Sequence, residues 1–328
     1  MKEQIVNLLK ENENNFVSGE KISEALGVTR AAVWKYIKQL KEEGYNIESV
    51  SRRGYKLTSS PDRLTFQEIA PNLKTRFIGR KIIYLESIDS TNNEAKKLAA
   101  EGEKEGTVVI TEEQTMGRGR LGRNWVSPKY KGIWMSIILR PEVDPIHMAK
   151  VTQIGAAAVC RAALEMGIKT LIKWPNDIVL NGKKLCGILT EMNAELNRVN
   201  YAVIGIGINV NTEEEDFKDE VRKVATSIKI EQGHDTKRKE LIANVLNNFE
   251  ELYEEFLDNG NIESSIKICK ENSALIGKEI KVIEKSSSVK AKALDLTNEG
   301  RLVVEFENGK IEEIISGEVS VRGIFGYI

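Results

Sequence analysis

The chain has 328 residues, 41% of them hydrophobic and 30% charged, with a formal net charge of -1. Its length and apolar content allow two or three buried cores, while the near-zero charge excludes a globally basic nucleic-acid binder and leaves only local patches for that purpose. No apolar run approaches the roughly 20 residues of a membrane span, and Met1-Lys2-Glu3-Gln4 opens no signal peptide, so a cytoplasmic protein with no membrane contact is expected.

Residues 1–12 carry Ile5, Leu8 and Leu9 at helical spacing, and Ser18 caps a second helix bearing Ile22, Ala25 and Leu26. Gly27 makes the turn and Thr29 caps a third helix. There Val33, Tyr36, Ile37 and Leu40 fall at i, i+3, i+4 and i+7 and face inward, which leaves Arg30, Ala31, Trp34, Lys35 and Lys38 outside. Strands at 47–50 and 55–57 are joined by Ser51-Arg52-Arg53-Gly54, a wing with two arginines at its tip. Residues 1–56 hold ten Lys or Arg against eight Glu, a small excess, but the cations gather on the third helix and the wing. The pattern is a winged helix-turn-helix touching DNA through Thr29, Arg30, Ala31, Trp34, Lys35, Lys38, Arg52 and Arg53. A module for protein contacts is the alternative.

Thr58-Ser59-Ser60-Pro61-Asp62 reads as a linker. Beyond it, strands at 81–86, 107–111, 133–139, 170–174, 178–180, 184–191 and 201–210 interleave with helices near 92–102, 146–167 and 237–257, the order of a mixed sheet in an α+β domain. Asn181-Gly182 predicts a hairpin over 178–191. The acidic run Glu213-Glu214-Glu215-Asp216 reads as a solvated loop. From about residue 277, strands at 279–283, 289–294, 302–306, 311–315 and 319–321, with turns at 298–300 and 308–309, suggest a small β-barrel. Domains are therefore expected at 1–62, 63–274 and 275–328.

Cys160, Cys186 and Cys269 are odd in number and far apart, and His147 and His234 sit beside no partner motif. Disulfide, zinc and Ser-His-Asp or Cys-His chemistry are thereby excluded, and Lys, Arg, Asp and Asn must carry any reaction. Gly117-Arg118-Gly119-Arg120-Leu121-Gly122-Arg123 alternates bare backbone with guanidinium forks, a clamp for phosphate or carboxylate. It matches G-x-G-x-x-G formally, but no helix opens within it, as a dinucleotide site requires. Three further strings share the domain: Asp89-Ser90-Thr91-Asn92 between a strand and a helix, Lys173-Trp174-Pro175-Asn176-Asp177, and Lys184-Leu185-Cys186-Gly187-Ile188 after the hairpin turn. Gly205-Ile206-Gly207-Ile208-Asn209 ends a strand with a smooth backbone.

Together these strings resemble the biotin-protein ligases, whose pattern is a Gly-Arg-Gly-Arg-x-Gly-Arg-x-Trp loop, a Lys-Trp-Pro-Asn-Asp segment and a Lys-x-x-Gly-Ile strand. With the winged helix in front, the whole chain resembles the bifunctional members that also repress the biotin operon. The resemblance implies a biotin/lipoate-ligase catalytic domain and an SH3-like C-terminal barrel. It implies formation of biotinyl-5'-AMP from biotin and ATP with Mg2+, then transfer to a lysine of a biotin carboxyl carrier protein. Lys184, Arg118 and Asp177 would be catalytic. Ser90, Thr91, Asn92, Gln114, Arg118, Gly119, Arg120, Lys184 and Gly187 would bind biotin. Arg118, Arg120, Arg123, Trp125, Lys173, Asn176, Lys184 and Asn209 would bind the nucleotide, and Asn176 and Asp177 the metal. Operator DNA and a homodimer formed on biotinyl-5'-AMP are the further partners implied. A ligand-sensing regulator without enzymatic activity and a lipoate or octanoate ligase are the alternatives.

Overall fold

Apolar residues at helical spacing produce α1 (Lys2–Glu11), α2 (Gly19–Leu26) and α3 (Arg30–Glu42), followed by the wing strands β1 (Asn46–Val50) and β2 (Gly54–Ser59) and the short α4 (Phe66–Ile69). These belong to the first of two compact units, Met1–Pro71 and Asn72–Ile328, in a computed structural model that describes residues 1–12, 15–284, 287–315, 320–323 and 327–328. Ser18 accepts from the Lys21 N–H and Thr29 from the Ala32 N–H, so both expected caps form. Ile5, Leu9, Ile22, Val33, Ile37 and Leu40 make one buried cluster, with Tyr36 packed against it. Val17 exchanges both backbone hydrogen bonds with Tyr55, adding a third segment to the wing that local patterning does not reveal. α4 is held here by Glu68, which takes a hydrogen bond from Tyr45 and pairs with Lys10.

In the second unit the strands are β3 (Ile82–Leu85), β4 (Val108–Thr111), β5 (Gly132–Leu139), β6 (Leu171–Lys173), β7 (Asp177–Leu180), β8 (Lys183–Glu195) and β9 (Arg198–Asn209). They form one sheet in the order β3-β4-β5-β9-β8-β7-β6, parallel only between β3 and β4. The helices are α5 (Thr91–Ala100), α6 (Met148–Glu165), α7 (Asp219–Arg222), α8 (Ile228–Gln232), α9 (Arg238–Asn259) and α10 (Glu263–Glu271). Ala95 and Ala99 of α5 pack on Val109, Ile138 and Val203. On the opposite face Gly155 brings α6 so close that an added Cβ would stand 2.7 Å from Ile204 Cδ1. Neighbouring residues Val203 and Ile204 thus serve opposite layers, as a strand's two-residue period requires.

The loop between β4 and β5 is anchored at both ends. Arg238, 1% exposed at the start of α9, donates to the carboxylate of Glu112 at 2.6 Å and to the carbonyl of Gly132 at 2.9 Å. The first lies just after β4 and the second opens β5. Such a buried pair holds because its hydrogen bonds are made inside the same low-dielectric core that desolvates it.

Asn181 and Gly182 both have positive φ, the two-residue turn expected between β7 and β8. The acidic run is not merely solvated: Glu213 receives Lys131 and Lys229, and these two cations hold its carboxyl down at about 2. β10 (Glu279–Glu284), β11 (Ser287–Leu296), β12 (Leu302–Phe306), β13 (Ile311–Ile314) and β14 (Ser320–Gly323) form an antiparallel sheet in the order β13-β12-β11-β10-β14. Of the expected last strand, Val319 lies outside the described residues. The architecture is a helix-turn-helix with a wing hairpin, a central mixed sheet between helices, and a small antiparallel C-terminal β domain.

Candidate active site

The sheet's α5 face carries a cavity of about 550 Å3, within the range of a small-molecule site. Its floor is the paired backbone of Gly187 and Gly207, with Gly205 one pleat along. A Cβ on Gly205 would lie 2.1 Å from Asn92 Oδ1, and one on Gly207 2.6 Å from Trp125 Nε1. Side chains on these positions would fill the slot, which explains why glycines alternate with Ile204, Ile206 and Ile208 there.

One end of the cavity is a network of neutral polar groups at the start of α5. Ser90, Thr91 and Asn92 are all buried. The N–H and hydroxyl of Thr91 donate to Gln114 Oε1, whose amide nitrogen donates to Ser127. Ser136 lies within hydrogen-bond distance of Thr91 Oγ1 at 2.8 Å and Asn92 Oδ1 at 2.6 Å, and Asn92 donates to Glu191. Burial pulls the Glu191 carboxyl up, but hydrogen bonds from Lys96 and Asn92 outweigh it and keep the group below the usual carboxylate range. Ser136, Glu191 and Lys96 were not singled out from sequence. A serine inside the buried run Gly132–Leu139 was the available signal, since a buried hydroxyl must find a partner.

The Gly-Arg string folds as a small hairpin over the cavity. Arg118 bridges Asn124, Gly119 donates to the Arg123 carbonyl at 2.7 Å, and Trp125 donates to that of Gly117 at 2.8 Å. Leu121 and Gly122 both take positive φ at the tip, a two-residue turn in which leucine is unusual. The arginines are held by neutral oxygens: Arg118 donates to Asn93 Oδ1, and Arg120 to Asn176 Oδ1 at 2.9 Å. Burial lowers the Arg120 guanidinium below its ordinary pKa. Hydrogen bonds from Asn93 and the backbone, with Arg118 nearby, hold Asp89 below the ordinary carboxylate range. Arg123 lines the cavity from its exposed rim.

At the other end β6 and β7 place Lys173 directly opposite Asp177 across the Trp174-Pro175-Asn176 turn. Lys184 Nζ pairs with Asp177 Oδ1 at 2.5 Å, and the Tyr327 hydroxyl donates to Asp177 Oδ2. The cavity lining thus collects Arg118, Arg120, Arg123, Lys173 and Lys184, with Asp177 its one carboxylate among the described residues. Asn209 donates to the Thr226 carbonyl at 3.0 Å, but its Oδ1, like Trp125 Nε1, is buried without a partner. Both atoms are suited to a ligand's donor and acceptor. Phe217, Val221, Val224 and Ala225 give this end an apolar wall, which sequence reading missed because it comes from the one-turn helix α7 and the irregular segments beside it.

Every residue expected for the reaction, from Ser90 to Asn209, lines this one cavity. Asn176 and Asp177 do not fit a resident metal: the Asn176 oxygen accepts from Arg120, and both Asp177 oxygens are engaged by Lys184 and Tyr327. Cys186 is fully buried, and burial raises its thiol far above the ordinary value, so it is no nucleophile. In the first unit Thr29, Arg30, Ala31, Lys35 and Lys38 are exposed on α3 beside Trp34, which is 61% exposed, and Arg52 and Arg53 are exposed on the wing. Arg30 pairs with Glu20 at 2.8 Å, and Arg53 stacks on the Phe16 ring at 4.2 Å.

Residues 2–56 match an HTH domain family, residues 84–209 the Biotin/lipoate A/B protein ligase family, and residues 275–322 the Biotin protein ligase C terminal domain. Fold and cavity therefore define a biotin/lipoate-type protein ligase domain joined to a helix-turn-helix. The bifunctional ligase/repressor BirA of Bacillus subtilis is 41% identical over 98% of both chains, and that of Escherichia coli 29% identical over 94% of this chain and 93% of its own. A biotin protein ligase from Aquifex aeolicus, solved with biotin and ATP, is 29% identical with a TM-score of 0.65, covering 74% of this chain and 99% of its own. The chain belongs to the bifunctional biotin ligase/repressor family.

The contact between Gly205 and Asn92 yields a direct test of the floor. Gly205→Ala should cost about 1–3 kcal/mol by overpacking, measured by urea unfolding. Asn92→Ala in the same chain should recover part of that loss, and strictly additive costs would show that the two positions do not meet.

Proposed function

We propose that the central cavity joins biotin to ATP, forming biotinyl-5'-AMP and pyrophosphate, and then passes the biotinyl group to a lysine of a biotin carboxyl carrier protein, releasing AMP. The observation that carries this reading is the convergence of five basic side chains on a slot with a neutral polar end. The biotin carboxylate must attack the α-phosphorus, so two anions approach each other and fixed positive charge must answer both. Lys184 and Arg118 stand where carboxylate and phosphate meet, with Arg120 beside them. Ser90, Thr91, Asn92 and Gln114 bind the ureido ring, and Gly119 and Gly187 let it approach. Arg123, Lys173 and Asn176 take the phosphates, and Trp125 and Asn209 the adenosine. Mg2+ comes with the triphosphate of ATP as its counter-ion.

In the transfer step the acceptor amine loses a proton as it attacks the mixed anhydride, and the amide forms as AMP leaves. Asp177 is the base in this reading, freed as Lys184 turns to the anhydride. The three functional parts are 1–62 for DNA, 63–274 for ligation and 275–328 as a C-terminal β domain, consistent with the separate family matches. The protein works in the cytoplasm, and biotinyl-5'-AMP drives a homodimer that sets two wings on an operator.

Incubation with biotin, ATP, Mg2+ and a carrier domain should release pyrophosphate and biotinylate the carrier. Lys184→Ala should lower both by at least about 100-fold, in line with loss of a preorganised charge. Normal pyrophosphate release in that variant would put the critical charge elsewhere, and efficient competition by lipoate would point to the other acyl substrate. On biotin operator DNA, replacing Arg52 and Arg53 by Ala should flatten the salt dependence by about two phosphates' worth. Ligation should be unaffected, and an unchanged salt slope would remove the wing from the interface.

A further inference from the structure

The Lys173-Trp174-Pro175-Asn176-Asp177 turn is gripped from two directions by residues far along the chain. Behind it, the Trp174 indole N–H donates to the Gly300 carbonyl at 2.9 Å, in the turn between β11 and β12. Gly300 lies close against Gln153, whose amide donates to the Pro175 carbonyl. The neighbouring Glu299 is paired with the buried Lys150 at 2.8 Å. In front, Tyr327 enters the cavity itself. Its hydroxyl donates to Asp177 Oδ2, and Lys173 Nζ sits 3.4 Å from the centre of its ring.

We propose that Tyr327 is a positioning residue for the nucleotide half of the reaction, setting Lys173 through its ring and the Asp177–Lys184 pair through its hydroxyl. The inference rests on the adenylation reading above. Lys184 and Tyr327 take separate oxygens of one carboxylate, while Lys173 lies across the strand pair from it. A phenol satisfies one acceptor without adding charge, and an aromatic face seats an ammonium without neutralising it. The ring contact therefore leaves the charge of Lys173 in place. A carboxylate in Tyr327's place would quench it, and an aliphatic side chain would remove the ring contact.

The two contacts separate by substitution. Tyr327→Phe keeps the ring and removes the hydroxyl; Tyr327→Leu removes both. Biotin-dependent ATP–pyrophosphate exchange in the full-length protein gives kcat and both KM values, with active sites counted by the burst of adenylate. Tyr327→Phe should lower kcat by about 10-fold, the scale of one hydrogen bond to a charged group, with KM for ATP within about twofold. Tyr327→Leu should in addition raise KM for ATP by about 5- to 10-fold, the scale of a desolvated cation–π contact. KM for biotin should stay within about twofold in both, because the neutral polar end is built from other residues. Wild-type kinetics per active site in both variants would overturn the proposal. So would losses explained by a smaller active fraction or a lower melting temperature, or shared equally between the two substrates. Absence of exchange in the wild-type protein would instead defeat the adenylation reading.

Discussion

Five basic side chains share one cavity with a single carboxylate among the described residues, and the rest of the site is arranged around keeping them there. Like charges at these separations repel, and the repulsion grows as water is excluded. Three of them are met directly by neutral groups: Asn93 for Arg118, Asn176 for Arg120 and the Tyr327 ring for Lys173. Lys184 is paired with a carboxylate, that of Asp177. The positive field is thus ordered but not cancelled, and an anionic ligand completes the charge balance. A buried guanidinium lowered by its own desolvation, as at Arg120, is stabilised by the arrival of phosphate or carboxylate.

The surrounding fold separates this charged end from the neutral one. β8 and β9 run beneath both, with glycines where the cavity lies and isoleucines where α6 packs. α5 brings Thr91 and Asn92 to one end, while the β6–β7 turn brings Lys173 and Asp177 to the other. The Gly-Arg hairpin spans the two, and the buried Arg238–Glu112 pair fixes the stems from which it departs. A bifunctional ligase/repressor needs such a division, because its acyl group and its nucleotide must be held apart by function and together by distance. The exposed side chains of α3 and the wing are built in the other unit, on a core of their own.

Much of this was legible along the chain. The strands β5 and β9, the helical stripe of α3, both N-caps and the Asn181-Gly182 turn depend on residues within a few positions of one another, and each formed as read. The strings around Ser90, Arg118, Lys173 and Lys184 identified the ligase family because each is a contiguous structural piece: a helix start, a hairpin, a turn and a strand. What escaped were features made by distant partners. Val17 joins the wing through Tyr55, Glu213 is a tether because Lys131 and Lys229 reach it, and Ser136 is part of the polar end because α5 lies over it. Leu121 at the hairpin tip defied local preference, where asparagine or glycine would be expected.

By itself the sequence determined the order of the parts and the residue types that would meet an anion, since composition and short periodicities are local properties. The tertiary structure alone decided how the charges are managed. It paired Lys184 with Asp177, turned the oxygens of Asn93 and Asn176 to the arginines, and set Tyr327 against residues about 150 positions earlier. No local pattern encodes such contacts, because their partners are chosen by the closing of the fold.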